Sequence, residues 1–304
     1  MLSHSLVSIA DLDAADITGL IDTAVSLKKR GPIKDFAGKT LALLFEKPSL
    51  RTKVSFDVAM YQLGGHTVFM SDKEVGLGQR EPVRDAALVL SRYVDVISAR
   101  TFAHKTVQDL AKYSTVPVIN ALSDEEHPCQ ALADLLTIHE HKGKLEGINL
   151  AYIGDGNNIA ASLLLASALV GMNINLASPN GYEVDVAVQA KAKEYAAISG
   201  SKIVITNDIR EVAAGADVLY TDVWASMGQE SESEKRKKDF AGYQVNTGLF
   251  AIAAGDAILM HDLPAHHGDE VEHGIIYGER SVVFDQAENR MHAQKAVLYK
   301  LINT

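Results

Sequence analysis

Short apolar runs alternate with longer segments of helical spacing along most of the chain. Runs rich in aliphatic and β-branched residues at 40–45, 66–70, 94–99, 116–120, 149–153, 173–177, 202–206, 217–221 and 257–260 read as strands. Between them, 53–63, 82–93, 128–142 and 158–170 repeat apolar positions every three or four residues, which predicts helices. Strands alternating with helices imply parallel sheets covered on both faces. So many strands exceed one compact half of the chain. The expected architecture is therefore α/β: two doubly wound domains in tandem, divided near the KGKLEG segment at 142–147. The length of 304 residues agrees with two domains of about 150 residues each.

Parallel sheets of this kind bind ligands outside the carboxyl ends of their strands. Polar, chemically useful segments recur at those ends. FEKPSLRT follows the first run, SARTF the third, and a stretch ending in HPCQ comes shortly after the fourth. GDGNN follows the fifth, TDVWASMG the eighth and MHDLP the ninth.

Composition narrows the classes. Apolar residues make up 47% and charged residues 22%, an ordinary globular balance, and the net charge is -10. An acidic chain is a poor partner for nucleic acid or an anionic membrane, so any phosphate must be held by a local cluster. The lone cysteine, Cys129, leaves no disulfide framework or cysteine-rich metal site. The N-terminus carries no signal-peptide pattern, and the apolar stretch 159–170 is too short to span a bilayer, so the cytoplasm is the expected location.

Ser49, Leu50, Arg51 and Thr52 sit where a strand passes into a helix. Hydroxyls, free N–H groups and a guanidinium there suit a phosphate, although a simple helix cap with a solvated Arg51 explains the segment equally well. Arg100 ends another strand and can turn a second guanidinium to the same anion. His127 opens a helix and can polarise a carbonyl, while Gln130 can bind a carbamoyl amino group. Cys129, on the same helix, reads as a small packing residue rather than a nucleophile. In GDGNN the third glycine of a dinucleotide fingerprint is replaced by Ile159, so the Asn pair suits a polar substrate better than a nicotinamide cofactor. Asp222 can hold an ammonium and Ser226 a carboxylate, although the charge run 230–239 would also suit a connecting loop. His261, His266 and His267 have no zinc spacing, and no metal is expected.

Taken together and in order, EKPSLRTKVSF, SRYVD, RTF, HPCQALADLLT, GDGNN, DVWASMGQE, HDLPAH and FDQAENRMHAQKA resemble the aspartate/ornithine carbamoyltransferase family. The Ser-Met-Gly loop matches its ornithine branch. The resemblance implies an enzyme that moves the carbamoyl group of carbamoyl phosphate to the δ-amine of L-ornithine, giving citrulline and phosphate in arginine biosynthesis. It implies no cofactor or metal, and a cytoplasmic homotrimer or a multiple of trimers, without nucleic acid or membrane partners. Residues 1–145, completed by a C-terminal helix at 285–304, would bind carbamoyl phosphate, and 146–284 ornithine. Carbamoyl phosphate would be held by Ser49, Leu50, Arg51, Thr52, Arg100, His127, Gln130, Leu263 and Arg290. Ornithine would be held by Asn158, Asp222, Ser226 and Met227. Arg100, His127 and Asp222 would be catalytic, with ornithine binding second and closing the domains, and Asp262 joins them as a carboxylate expected beside Asp222.

Three positions depart from the family pattern. Asp262 stands where a cysteine is usual, Gly76 precedes Leu77-Gly78 where Gln or His is usual (with Gln79 nearby), and His267 replaces a common Arg. Two neighbouring carboxylates raise one of their pKa values. One of the two would then carry a proton and act as a base when it ionises, or the extra charge would hold the amine as ammonium and slow attack. Asp262 thus keeps open another amine as acceptor, or a catalytically impaired relative acting as a binding protein.

Overall fold

The computed structural model describes residues 4–78, 80–226 and 228–303. The chain divides into two compact units, residues 1–136 with 288–304, and residues 137–287.

In the first unit the strands are β1 (Thr40–Phe45), β2 (His66–Ser71), β3 (Val96–Arg100) and β4 (Val118–Leu122). They pair in parallel in the order β2-β1-β3-β4. β1 and β3 are central and buried almost throughout, whereas edge strand β2 is half-exposed. Helices α1 (Ala14–Arg30), α2 (Leu50–Gln62), α3 (Asp72–Val75), α4 (Val83–Leu90), α5 (His104–Tyr113) and α6 (Pro128–Lys142) follow in chain order. A core of Ala42, Leu44, Ile97, Ala99, Val107 and Leu110 packs one sheet face against α4 and α5. The N-terminal segment is tied down by polar contacts. Leu6 bridges Ile119, Asn120 Nδ2 donates to Val7 O at 2.9 Å, and buried Glu126 accepts from Ile9 N at 3.0 Å and from the Ser8 hydroxyl. Those contacts fix the turn that presents His127.

The second unit holds β5 (Asn149–Ile153), β6 (Asn173–Ala177), β7 (Ile203–Thr206), β8 (Val218–Thr221) and β9 (Ile258–His261), all parallel, in the order β7-β6-β5-β8-β9. Its helices are α7 (Asn158–Leu169), α8 (Val186–Ser199), α9 (Ile209–Ala213), α10 (Ser233–Asp239) and α11 (Thr247–Phe250). α7 is apolar all round and buried along nearly its whole length, as a helix sandwiched in a core must be. A second core gathers Ala151, Ile153, Leu219, Leu259, Val212 and Val245. The last helix, α12 (Val283–Ile302), begins in the second unit and ends in the first.

The expected parallel sheets flanked by helices are present, and every expected strand has a counterpart shifted by two residues or fewer at either end. The two compact units meet within α6, which runs as one continuous helix to Lys142, at the start of the segment 142–147.

Both sheets have a point where strand order reverses. In the first, β1 is followed by β2 on one side and by β3 on the other. In the second, β5 is followed by β6 on one side, with β8 on the other. Crevices open at such reversals, at the carboxyl ends of the strands.

Candidate active site

At the β1/β3 reversal the first unit assembles a cationic pocket. Ser49 caps α2, its Oγ accepting from Thr52 N at 3.3 Å, with the two hydroxyls 3.1 Å apart. That leaves the first N–H groups of a 13-residue helix directed at the crevice, a position that favours anions. The Leu50 side chain itself is exposed, so only its backbone faces the pocket's chemistry. Arg100, 5% exposed, closes β3. Arg290 on α12 is equally buried; its Nη2 donates to Thr52 Oγ1 at 2.7 Å, and its Nη1 donates to Gln130 Oε1. Gln130 in turn donates to Asp134 Oδ1 at 2.7 Å, which fixes the orientation of its amide.

His127 lies at the centre of these groups. Burial first, then the charges of Arg290, Arg100 and Arg51, hold its imidazole well below the usual histidine range. It is therefore a neutral ring surrounded by three guanidiniums. Such a group can hydrogen-bond an oxygen but does not protonate it, and the pocket as a whole is complementary to a multiply charged anion. Cys129 beside it is buried, with its thiol 3.6 Å from Asn120 O and its pKa pushed by burial to about 12. A thiol held in that state is inert, so Cys129 packs.

The second unit builds an anionic pocket at the β5/β8 reversal. Gly154 has φ 151, and a Cβ on Gly156 would lie 2.3 Å from the backbone of Glu183 and Val184, so the GDGNN turn needs glycine at that second position. Asn157 caps α7 by accepting from Ile159 N at 2.9 Å, and its Nδ2 donates to Asp222 Oδ2 at 2.8 Å. Asn158, the first residue of α7, is half-buried. Asp222 is 5% exposed. Burial, then the neighbouring Asp262 carboxylate, push its pKa up to about 7 against the opposing influence of the His261 imidazole and the bonds from Asn157 and Val223 N–H.

Asp155 in the same turn is bound by Arg236 Nη1 at 2.9 Å, and that nitrogen also reaches Trp224 O at 2.8 Å. The charge run at 230–239 thus contains helix α10, and Arg236, buried, ties the loop after β8 to the GDGNN turn. Ser226 is half-buried, its N–H donating to Gln229 Oε1 at 3.0 Å. Met227 and Gln79 lie outside the described residues.

After β9, His261 accepts from Leu263 N at Nδ1 (2.8 Å), which leaves Nε2 to donate to buried Glu270 at 3.1 Å. Leu263 is held at φ 62 before cis Pro264. Glu270, Asp155 and Arg236 carry no role in the sequence reading, and Asn157, read there with Asn158 as an amide pair for a polar substrate, is also the helix cap that an Asn directly before a helical run signals. Gly76 adopts a left-handed conformation, φ 56, at the end of α3, which explains glycine there, and His267 stacks on Tyr277.

The family models agree with this two-part chemistry. The carbamoyl-P binding domain of the aspartate/ornithine carbamoyltransferases matches residues 4–140, and their Asp/Orn binding domain matches residues 146–301. The chain belongs to the aspartate/ornithine carbamoyltransferase family. Its relatives fall in the ornithine branch. An ornithine carbamoyltransferase of Anoxybacillus flavithermus is 54% identical over 300 residues, covering 97% of this chain and 96% of the relative. The solved ornithine carbamoyltransferase of Pyrococcus furiosus is 50% identical with a TM-score of 0.93, covering 97% of this chain and 95% of that one. The anabolic enzyme of Campylobacter jejuni subsp. jejuni is 40% identical with a TM-score of 0.94, covering 98% and 99%.

Proposed function

We propose that this protein transfers the carbamoyl group of carbamoyl phosphate to the δ-amine of L-ornithine, forming L-citrulline and phosphate. The observation that carries this reading is the neutral His127 set among Arg51, Arg100 and Arg290. A phosphate dianion joined to a carbonyl needs cations at one end and a neutral donor at the other. Ser49, Arg51, Thr52 and the N–H groups from Leu50 onward take the phosphate. Arg100, His127 and the Thr52 hydroxyl take the carbonyl oxygen, where negative charge develops during attack. Loss of one such donor typically costs about 3–4 kcal/mol in the transition state. Gln130, oriented by Arg290 and Asp134, takes the carbamoyl amino group, and the same reading assigns Leu263 a backbone contact with it.

On the acceptor side, Asp222 and Asp262 suit an ammonium. Asn158, Ser226 and Met227 suit the amino-acid end of ornithine. An acceptor lacking the α-carboxylate would leave those polar groups without a partner, which argues against a simple diamine. The arrangement of neutral histidine and fixed arginines also gives no support to an impaired binding protein.

Arginine synthesis, rather than citrulline breakdown, is the direction we favour, in line with the anabolic relative of Campylobacter jejuni. Carbamoyl phosphate is labile and multiply charged and must be used in the compartment where it is made, and we favour the cytoplasm as that compartment. Leu50 (78% exposed) and Tyr61 (76%) lie on α2, with Val54 between them and Val68 on edge strand β2 also exposed. Apolar surface of this kind supports self-association of the first unit, which we read as a homotrimer. The test is ureido-product formation from carbamoyl phosphate with ornithine, lysine and putrescine in parallel. Ornithine alone as an efficient acceptor is the expected result; putrescine as the better one would overturn it.

A further inference from the structure

Thr221 on β8 pairs with His261 on β9 in parallel register, so Asp222 and Asp262 are the next residues along two adjacent strands. Adjacent strands lie about 4.8 Å apart, and residues in register leave the sheet on the same side. The two carboxylates therefore meet at the crevice end of the sheet. Asp222 is buried, while Asp262 is partly open to solvent and to an incoming ligand.

The groups around them have identifiable commitments. His261 bonds Glu270 and Leu263 N–H. Asn157 Nδ2 donates a hydrogen bond to Asp222 Oδ2 at 2.8 Å. Arg236 is committed to Asp155, Glu232 and Trp224 O at 2.8–3.1 Å. The Tyr152 phenol donates to Asp155 O at 2.8 Å and is held well above its usual range by burial, then by Asp222, Asp155 and Asp262, so it stays protonated. The ligand proposed above brings a cation to this pair.

We propose that Asp222 and Asp262 act as one proton acceptor for the attacking amine: ionised, the pair binds the ammonium, then takes a proton from it. The inference rests on the ornithine reading and assigns Asp262 a chemical role in it. An alkyl ammonium has a pKa of about 10 and an ordinary carboxylate about 4, a transfer opposed about a million-fold. A carboxyl pushed up to about 7 lowers that to about a thousand-fold. Two neighbouring carboxylates are a direct way to build such a base.

The step balances. One N–H bond of the ammonium breaks and an O–H bond forms on the pair, which then shares one proton. The amine lone pair forms the C–N bond as the carbamoyl C–O bond breaks, its electrons leaving with phosphate. A second proton on nitrogen departs with the phosphate, and the pair returns its own proton to solvent after product release.

The test is kcat/KM for ornithine against pH in the native protein and in Asp262→Asn, with the KM for carbamoyl phosphate measured alongside. The native acid limb is expected near pH 7. Asp262→Asn should move it down by about one unit, because a like charge is gone while burial remains, and should lower kcat about 100-fold with KM for carbamoyl phosphate unchanged. An unmoved limb with native kcat overturns the pair while leaving ornithine transfer intact. A native protein that makes no citrulline overturns both. Should the variant not fold, calorimetry on the native protein in buffers of different ionisation enthalpy decides. At pH 7, ornithine should expel about half a proton more than norvaline, which has no δ-amine, and equal proton counts reject the pair.

Discussion

Asp222→Asn should make the protein more stable above neutral pH while disabling it. The Asp222 carboxyl is raised from 3.8 to about 7, chiefly by burial and then by Asp262. Because the folded value lies above the unfolded one, the folded protein binds the extra proton between about pH 4 and 7. Stability is therefore highest below that window, falls as pH rises through it, and stays reduced above it. At about 1.4 kcal/mol for each pH unit of that window, ionised Asp222 costs at most about 4 kcal/mol at pH 8. Asn at 222 keeps an oxygen to accept from Asn157 Nδ2 and Val223 N–H, but buries an amide donor, which returns about 1–2 kcal/mol of that gain. The net expectation is about 2 kcal/mol, a rise of roughly 4–8 °C in the melting transition of a unit this size. Scanning calorimetry at pH 8 and pH 5 measures it. The gain should be present at pH 8 and absent at pH 5, where native Asp222 is already protonated. An equal gain at both pH values, or none at pH 8, would refute the electrostatic argument. A group that costs stability at rest and is held in a reactive state is the usual trade at a functional site.

Phosphate at 100 times its dissociation constant should stabilise the native protein by about 3 kcal/mol, and Arg290→Met should abolish that protection; a variant still protected would remove Arg290 from the anion site. Arg236→Met leaves Asp155 buried without its cation and should destabilise the protein by about 3–5 kcal/mol while raising the KM for ornithine, read by denaturant titration and kinetics. Cys129→Ala should keep activity within about twofold and lose about 1–2 kcal/mol of stability, and thiol reagents should leave the native protein unmodified; rapid alkylation with inactivation would contradict a packing role.

The strands were legible because a strand buried on both faces is a short aliphatic run with polar punctuation. β1, β5 and β6 show this most clearly, beginning and ending where their apolar runs do. The cationic pocket was legible for a related reason: its members stand at strand ends or at the start of a helix, where polar residues interrupt apolar pattern. Arg236 was hidden because a charge run looks uniformly solvated, and only the helical turn of α10 decides which one of its cations faces inward. Glu270 was hidden because its partner His261 lies across a turn containing Leu263, whose φ of 62 no aliphatic residue advertises. Asn157 and Asn158 are chemically identical neighbours, and capping geometry separates the residue that bonds Asp222 from the one that opens the helix.

The central claim is most directly tested by measuring citrulline and phosphate together after carbamoyl phosphate and ornithine are mixed with the protein, correcting for spontaneous breakdown of carbamoyl phosphate. Transfer predicts one citrulline for each phosphate above that background, with both products lost together in Arg100→Ala. Phosphate release without citrulline, or no release above background, would contradict ornithine carbamoyl transfer by this protein.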